Sequence, residues 1–266
     1  MFKSNPDSMR MEPTPERVLA VCRTVAQESI SREDLRSLLT LGLAGDKEVD
    51  EINKSIAVAQ DELGLIQQKN NKLVFVGPKS AIETPKAFRQ YVSSLVFHRK
   101  DSTFVMFTRW IIAKNDSLFA MQKWENMAEV CSKEVSELSA VNENSVLGWR
   151  FWAAFLGLGY LNGTMILPNM KTRIQDALAT SYAKSFRYGE AVRAADFIIW
   201  LSNKLPEADF SGKLPLAVSA GLRTLHELGF IKLETWQDSN RVMLFYVDGE
   251  PINEFSHITV WEEVCT

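Results

Sequence analysis

The densest glycine cluster in the chain, Gly157-Leu-Gly159-Tyr-Leu-Asn-Gly163, spells G-x-G-x-x-x-G, close to the spacing that cradles a dinucleotide pyrophosphate. That chemistry needs a strand before the glycines and a helix after them, whose N-terminus holds the phosphates. Here a helix-like run, WRFWAAFL, precedes and a strand-like run, TMILP, follows, so the order is reversed. SGKLP (211–215) has a Gly-Lys pair but neither the upstream glycine nor the Ser/Thr of a phosphate loop. His98, His226 and His257 stand apart, with no H-x-x-x-H or H-E-x-x-H spacing to hold zinc. Ser256 precedes His257 outside any G-x-S-x-G elbow. None of the sixteen lysines has an acid two residues before it, the arrangement with which restriction-type nucleases hold a cation and activate water. No catalytic, cofactor-binding or metal-binding residue is nominated, and the chain reads as a non-enzyme without a cofactor.

Charge is the remaining chemical signal. The formal net charge is −3, but residues 79–123 carry eight Lys/Arg against three Asp/Glu. This basic band lies between an acidic first segment and an acidic last one, and it can attract phosphate although the whole chain is acidic. Lys86, Arg89, Arg99, Lys100, Arg109 and Lys114 are its candidates for the DNA backbone. Lys213 and Arg223, facing outward from a late helix, and Lys232 and Arg241, on the ribbon after it, complete the DNA-binding set. A solvated helix surface is the competing reading of such a band. Trp149, Phe151 and Trp152 form an aromatic group suited to a core or to a partner interface.

The elements that would position these residues follow a repeated plan. TPERVLAVCRTVAQES opens with Thr14 as N-cap and Pro15 at the first helical position. SREDLRSLLTLG begins with Ser31 and Asp34 in capping-box spacing. EVDEINKSIAVAQDELG is a third helix ending at Gly64, and LIQQKNNKLVFVG forms two short strands around Asn70-Asn71. Three helices followed by a ribbon is the order of a winged helix. The last third repeats it: EAVRAADFIIWLSNK (190–204), KLPLAVSAGLRTLHELG ending at Gly229, then strands on either side of Gln237–Asn240. The middle offers STFVMFTRWIIAKND, a long helix SLFAMQKWENMAEVCSKEVSEL, SVLGWRFWAAFLGLG and the ribbon YLNGTMILP. The Leu-Gly junctions at Gly64, Gly157 and Gly229 read as helix stops in the left-handed conformation. The third helix of the first unit carries Glu48, Asp50, Glu51, Asp61 and Glu62 against Lys47 and Lys54, a surface that repels DNA.

The expected fold is therefore mainly α with small β wings, a tandem array of three winged-helix-like units joined by linker helices. The expected segments are unit 1 (1–78), a basic linker helix (79–101), unit 2 (102–168), a second linker helix (169–188) and unit 3 (189–266). No apolar run reaches the ~18 residues of a membrane helix. The polar start has no signal-peptide core, and three scattered cysteines suit reduced thiols, so a cytoplasmic protein is expected.

Several stretches resemble the DpdG family of bacterial Dpd defence islands: TPERVLAVCRTV, FTRWIIAKND, NSVLGWRFWAAFLGLGY with ILPNMKTRIQDAL, and the late FSHITV. These islands modify DNA with 7-deazaguanine derivatives and restrict unmodified DNA. The resemblance implies a restriction-side accessory protein working beside helicase and nuclease partners, and it transfers no residue-level site. The expected function is a non-catalytic accessory or scaffold subunit of a DNA-processing, anti-phage system. It would contact DNA backbone, weakly or without sequence preference, and protein subunits of the same system, with a homodimer as one assembly. The alternatives are a sequence-specific transcriptional regulator acting as a dimer, and a pure protein-interaction scaffold without DNA contact.

Overall fold

The computed structural model describes residues 1–4, 9–43, 45–121, 123–163 and 165–265. Helix α1 (Pro15–Gln27) opens where Thr14 accepts from the Arg17 N–H. A two-residue strand, β1 (Ile30–Ser31), follows, and Ser31 then caps α2 (Arg32–Leu39) by accepting from the Asp34 N–H at 3.0 Å. Helix α3 (Asp46–Ala57) continues through a π-helical turn to Gly64, whose φ of 64° ends it. Strands β2 (Ile66–Lys69) and β3 (Lys72–Phe75) turn at Asn70 and Asn71, both at positive φ as a two-residue hairpin turn requires. β3 lies between the other two strands, giving the order β1–β3–β2.

Helices α4 (Pro85–Val96), α5 (Thr103–Lys114), α6 (Trp124–Glu134) and α7 (Glu143–Phe155) follow. The single long helix expected over 117–138 is interrupted. Asn115 adopts φ 51° and ends α5, a 3₁₀ stretch covers Asn115–Ala120, and a second one follows α6 at Ser136–Leu138. Gly157 (φ 80°) then stops the chain before the hairpin β4 (Gly159–Asn162) and β5 (Met165–Pro168).

Helix α8 (Lys171–Ser181), expected as a linker, leads to β6 (Ala191–Arg193), α9 (Ala194–Lys204) and α10 (Leu216–Glu227). Residues 191–193 are a strand where a helix was expected, because they pair with a strand 66 positions along the chain: Val192 faces Ile258. After Gly229 (φ 77°) come β7 (Ile231–Glu234), β8 (Val242–Met243), β9 (Glu254–Phe255) and β10 (His257–Val260). The hairpin expected around Gln237–Asn240 does not form. β7 pairs with β10 and β8 with β9, so the sheet order is β6–β10–β7.

The chain forms two compact units: residues 1–106 with 124–155, and residues 107–123 with 156–266. These limits fall within α5 and after α7, away from the borders expected at 78, 101, 168 and 188. Packing explains the first unit's share. Trp149 and Trp152 are buried, Trp152 donates its Nε1–H to the Pro13 carbonyl at 2.6 Å, and its ring meets Phe2 edge-on at 4.9 Å. Gly148 lets α7 lie against the Met9–Arg10 backbone, where a Cβ would come within 2.5 Å of the Met9 oxygen. In the second unit α8 crosses α10 just as closely. A Cβ on Gly221 would sit 2.7 Å from the Lys171 nitrogen, and the Met170 N–H donates to the Ala217 carbonyl at 2.8 Å.

Candidate nucleic-acid and partner interface

The basic band does not appear as a row of waiting cations. Lys86, Arg89, Arg99 and Lys100 belong to the first unit, Arg109 and Lys114 to the second. Lys86 and Arg89 are half-buried on α4, with Phe88, Val92 and Val96 turned into the core as their spacing requires. Arg99 donates to the Glu62 carbonyl, and Arg109 donates to the Pro206 carbonyl at 3.0 Å. Lys114 lies over the Trp110 ring, 5.1 Å from its centroid. Lys100 remains exposed.

In the second unit Lys213 is exposed, Lys232 pairs with Glu234 at 2.8 Å, and Arg241 pairs with Glu254. Arg223, expected to face outward, is only 5 % exposed. Its guanidinium donates to the carbonyls of Ile252 (2.9 Å) and Phe245 (2.8 Å) and to Asn253 Oδ1 (3.2 Å), with the Glu250 carboxylate 3.7 Å away. Burial lowers its pKa, yet an arginine keeps its proton at any working pH. It fastens the 244–253 loop to α10.

The aromatic group is divided by burial. Trp149 and Trp152 are core residues, 1 % and 0 % exposed, which removes them as a partner surface. Phe151 is half-buried, with the Arg150 guanidinium 4.7 Å from its centroid.

Two of the helices expected to face a DNA groove, α3 and α10, present little for it. On α3, Glu51 pairs with Arg17 at 2.8 Å, and Lys54 is taken by Asp50 (2.6 Å) and Glu12 (2.9 Å). The carboxylate of Asp50, with that of Glu12, holds Lys54 above the usual lysine range. Glu48 is exposed beside them, while the Lys47 side chain lies outside the described residues. On α10, Leu216 to Ser219 and Gly221 to Arg223 are all buried. What α10 leaves open borders a cavity of about 490 Å³ whose lining includes Asp116, Glu227, Asp248 and Glu250, an environment that repels phosphate.

Among the described residues, no group of three His, Cys, Asp or Glu is placed to hold a metal ion. His257 is buried, its Nδ1 is 3.0 Å from the Ser256 hydroxyl, and its ring stacks on Trp236 at 3.7 Å. No described helix is long and apolar enough to cross a membrane. Sequence reasoning missed two features. One is the buried Arg173–Glu207 pair, at 2.8 Å. The other is the turn between α2 and α3, where Leu41 and Leu43 are 82 % and 86 % exposed. Two leucines around a glycine, between two helices whose apolar stripes are already complete, are the signal that could have found it.

A family model described as DpdG-like matches residues 9–210, well over half of the chain. The chain belongs to the DpdG-like family. The match runs from the segment before α1 through α9 and ends before α10. No curated protein and no solved structure matches the chain.

Proposed function

We propose that this DpdG-like protein is a non-catalytic accessory subunit of a Dpd-type DNA-processing defence system, and that it serves chiefly as a platform for partner proteins. Family membership supports the system. The frame is read as winged helices. Elements α1 to β3 follow the order helix, strand, helix, helix, strand, strand, with the first and second strands flanking the last. Elements α8, β6, α9, α10, β7 and β10 repeat that order and the same strand arrangement, which gives α8 the part of a first helix.

The observation that carries the platform reading is the state of the two groove-entering helices. α10 is buried along most of its length with its one arginine committed to loop carbonyls, and α3 presents carboxylates. A sequence-reading regulator needs that helix free and cationic. Of the candidate cations, Lys100 and Lys213 are exposed and without an ion pair among the described residues, which suits weak backbone contact.

Two measurements test the reading together. Size-exclusion chromatography with light scattering, on mixtures with each protein encoded in the same gene island, should show a stable complex with at least one of them. Fluorescence anisotropy with a duplex should show binding that is weak, insensitive to sequence and steeply lost as salt rises. Tight binding to one duplex sequence, with no protein complex, would reverse the assignment in favour of the regulator.

A further inference from the structure

We propose that the α2–α3 turn of the first unit, with the groove beside it, is a docking site for a basic amphipathic helix of a partner protein; this rests on the platform reading above. The turn carries Leu38, Leu41 and Leu43, exposed by 52 %, 82 % and 86 %. Hydrogen bonds hold its residues up to Leu43. The Gly42 N–H donates to the Ser37 carbonyl at 2.8 Å, the Leu43 N–H to the Thr40 carbonyl at 3.0 Å, and the Thr40 hydroxyl to the Arg36 carbonyl at 2.8 Å. Leu41 is held at φ 55°, a conformation that costs a branched side chain about 1 kcal/mol or more. Glycine would adopt it freely, so the fold accepts strain there and gains no burial from the leucine.

Beside the turn, α1, the end of α2 and α3 enclose a groove of about 290 Å³. Ala20, Val21, Leu39 and Ile52 give it an apolar lining, and Glu48 and Glu51 stand among its polar residues. Arg17 also lines the groove and is engaged with Glu51 at 2.8 Å, and Arg36 on α2 is engaged with Asn53 Oδ1 at 2.9 Å. Glu48, which is exposed, makes no ion pair among the described residues. Exposed leucines beside an apolar groove, with the Glu48 carboxylate unengaged among the described residues, call for apolar anchors at i, i+3 or i+4 and i+7, flanked by Lys or Arg. The described lining carries two carboxylates to one guanidinium, a balance that favours a basic segment over nucleic acid or an acidic one.

The probes are peptides of about 18 residues, five helical turns, tiled across the proteins encoded in the same gene island. Their binding to the full chain is read by fluorescence anisotropy. Binding peptides should carry the basic amphipathic pattern, and their affinity should fall between about 0.05 and 0.3 M salt. Leu43→Asp should weaken them roughly tenfold or more, and Glu48→Lys should weaken them while removing much of the salt dependence. Leu41→Gly separates docking from folding: it fits the backbone better, so thermal stability should hold or rise while binding falls by a similar factor. Leu228→Asp, on an exposed leucine of the second unit, should change nothing.

Partner complexes that survive Leu41→Gly and Leu43→Asp unchanged, with no basic peptide bound, overturn this site and leave the platform reading standing. Absence of any partner complex overturns both. Dissociation of a dimer by these substitutions in sedimentation shows that the occupant is a second copy, and overturns the partner assignment.

Discussion

Replacing Arg223 with alanine distinguishes a structural arginine from a phosphate-binding one. The guanidinium makes three hydrogen bonds, to the Ile252 and Phe245 carbonyls and to Asn253 Oδ1, from a position 5 % exposed. A hydrogen bond from a charged donor contributes about 1.5–3 kcal/mol net, and a buried acceptor left without its donor costs about 1–3 kcal/mol. The three acceptors lie on half-buried loop residues, so water recovers part of the loss. Arg223→Ala is therefore expected to cost about 3 kcal/mol, or about 6–12 °C in Tm for a unit of this size. Arg223→Lys should recover about half or less, because one ammonium cannot span carbonyls on both ends of the loop. Lys213→Ala, on an exposed side chain, should stay within about 0.5 kcal/mol. Urea unfolding gives the free energies, and hydrogen exchange should show the 244–253 amides opening first in the alanine variant. A Tm unchanged within about 1 °C, together with a salt slope of DNA binding reduced by about one, would refute the structural role and return Arg223 to the DNA-facing set.

Three further outcomes follow from burial and backbone geometry. Trp152→Ala should cost about 3–5 kcal/mol in urea unfolding, since the ring is fully buried against Phe2 and its N–H is held by Pro13; normal stability with lost partner binding would make it an interface residue instead. Gly221→Ala should destabilise more than Gly229→Ala. The first drives a methyl into the Lys171 backbone at 2.7 Å, whereas the second meets open space and carries only the strain of φ 77°, about 1 kcal/mol; the reverse order in thermal denaturation would contradict the α8–α10 packing. Burial pushes the Cys22 thiol from 9.0 up to about 12, so the native state disfavours its thiolate. Its contribution to stability is complete below the unfolded-state pKa and is lost as pH climbs from 9 towards 12, by about 1.4 kcal/mol at pH 10. Cys22→Ala should flatten that part of the pH–stability curve, and Cys22 in the native chain should resist iodoacetamide at pH 8.

What the sequence disclosed and what it hid separate along a physical line. Local signals were legible: Thr14 and Ser31 cap their helices, Asn70 and Asn71 make the turn, and Gly64, Gly157 and Gly229 stop three helices at positive φ. Each depends on a few adjacent residues. The short strands were not legible, because Ile30–Ser31 and Ala191–Arg193 are too brief to show a period of two. Their strand character comes from partners elsewhere, Leu73 for Ile30 and Ile258 for Val192. Helix α8 looked like a linker for a related reason. Its burial depends on Gly221, and a small residue on another helix carries no signal of what it lets in.

The candidate interface was the least legible part, and the reason lies in the donors. An arginine counts as one charge in a sequence whether its guanidinium faces a phosphate or a carbonyl. In this chain Arg99, Arg109 and Arg223 each face a carbonyl, and Lys114 faces an indole ring. A charge count therefore does not tell which of these side chains is free to face a partner. Hydrophobicity alone gave no signal in the other direction: nothing in residue type marks Leu41 and Leu43, 82 % and 86 % exposed, as different from leucines that are buried. Together these two observations shift the expected chemistry from phosphate towards protein. Cations counted towards DNA make contacts inside the fold, while Leu41 and Leu43 are held out beside a groove whose lining includes Glu48.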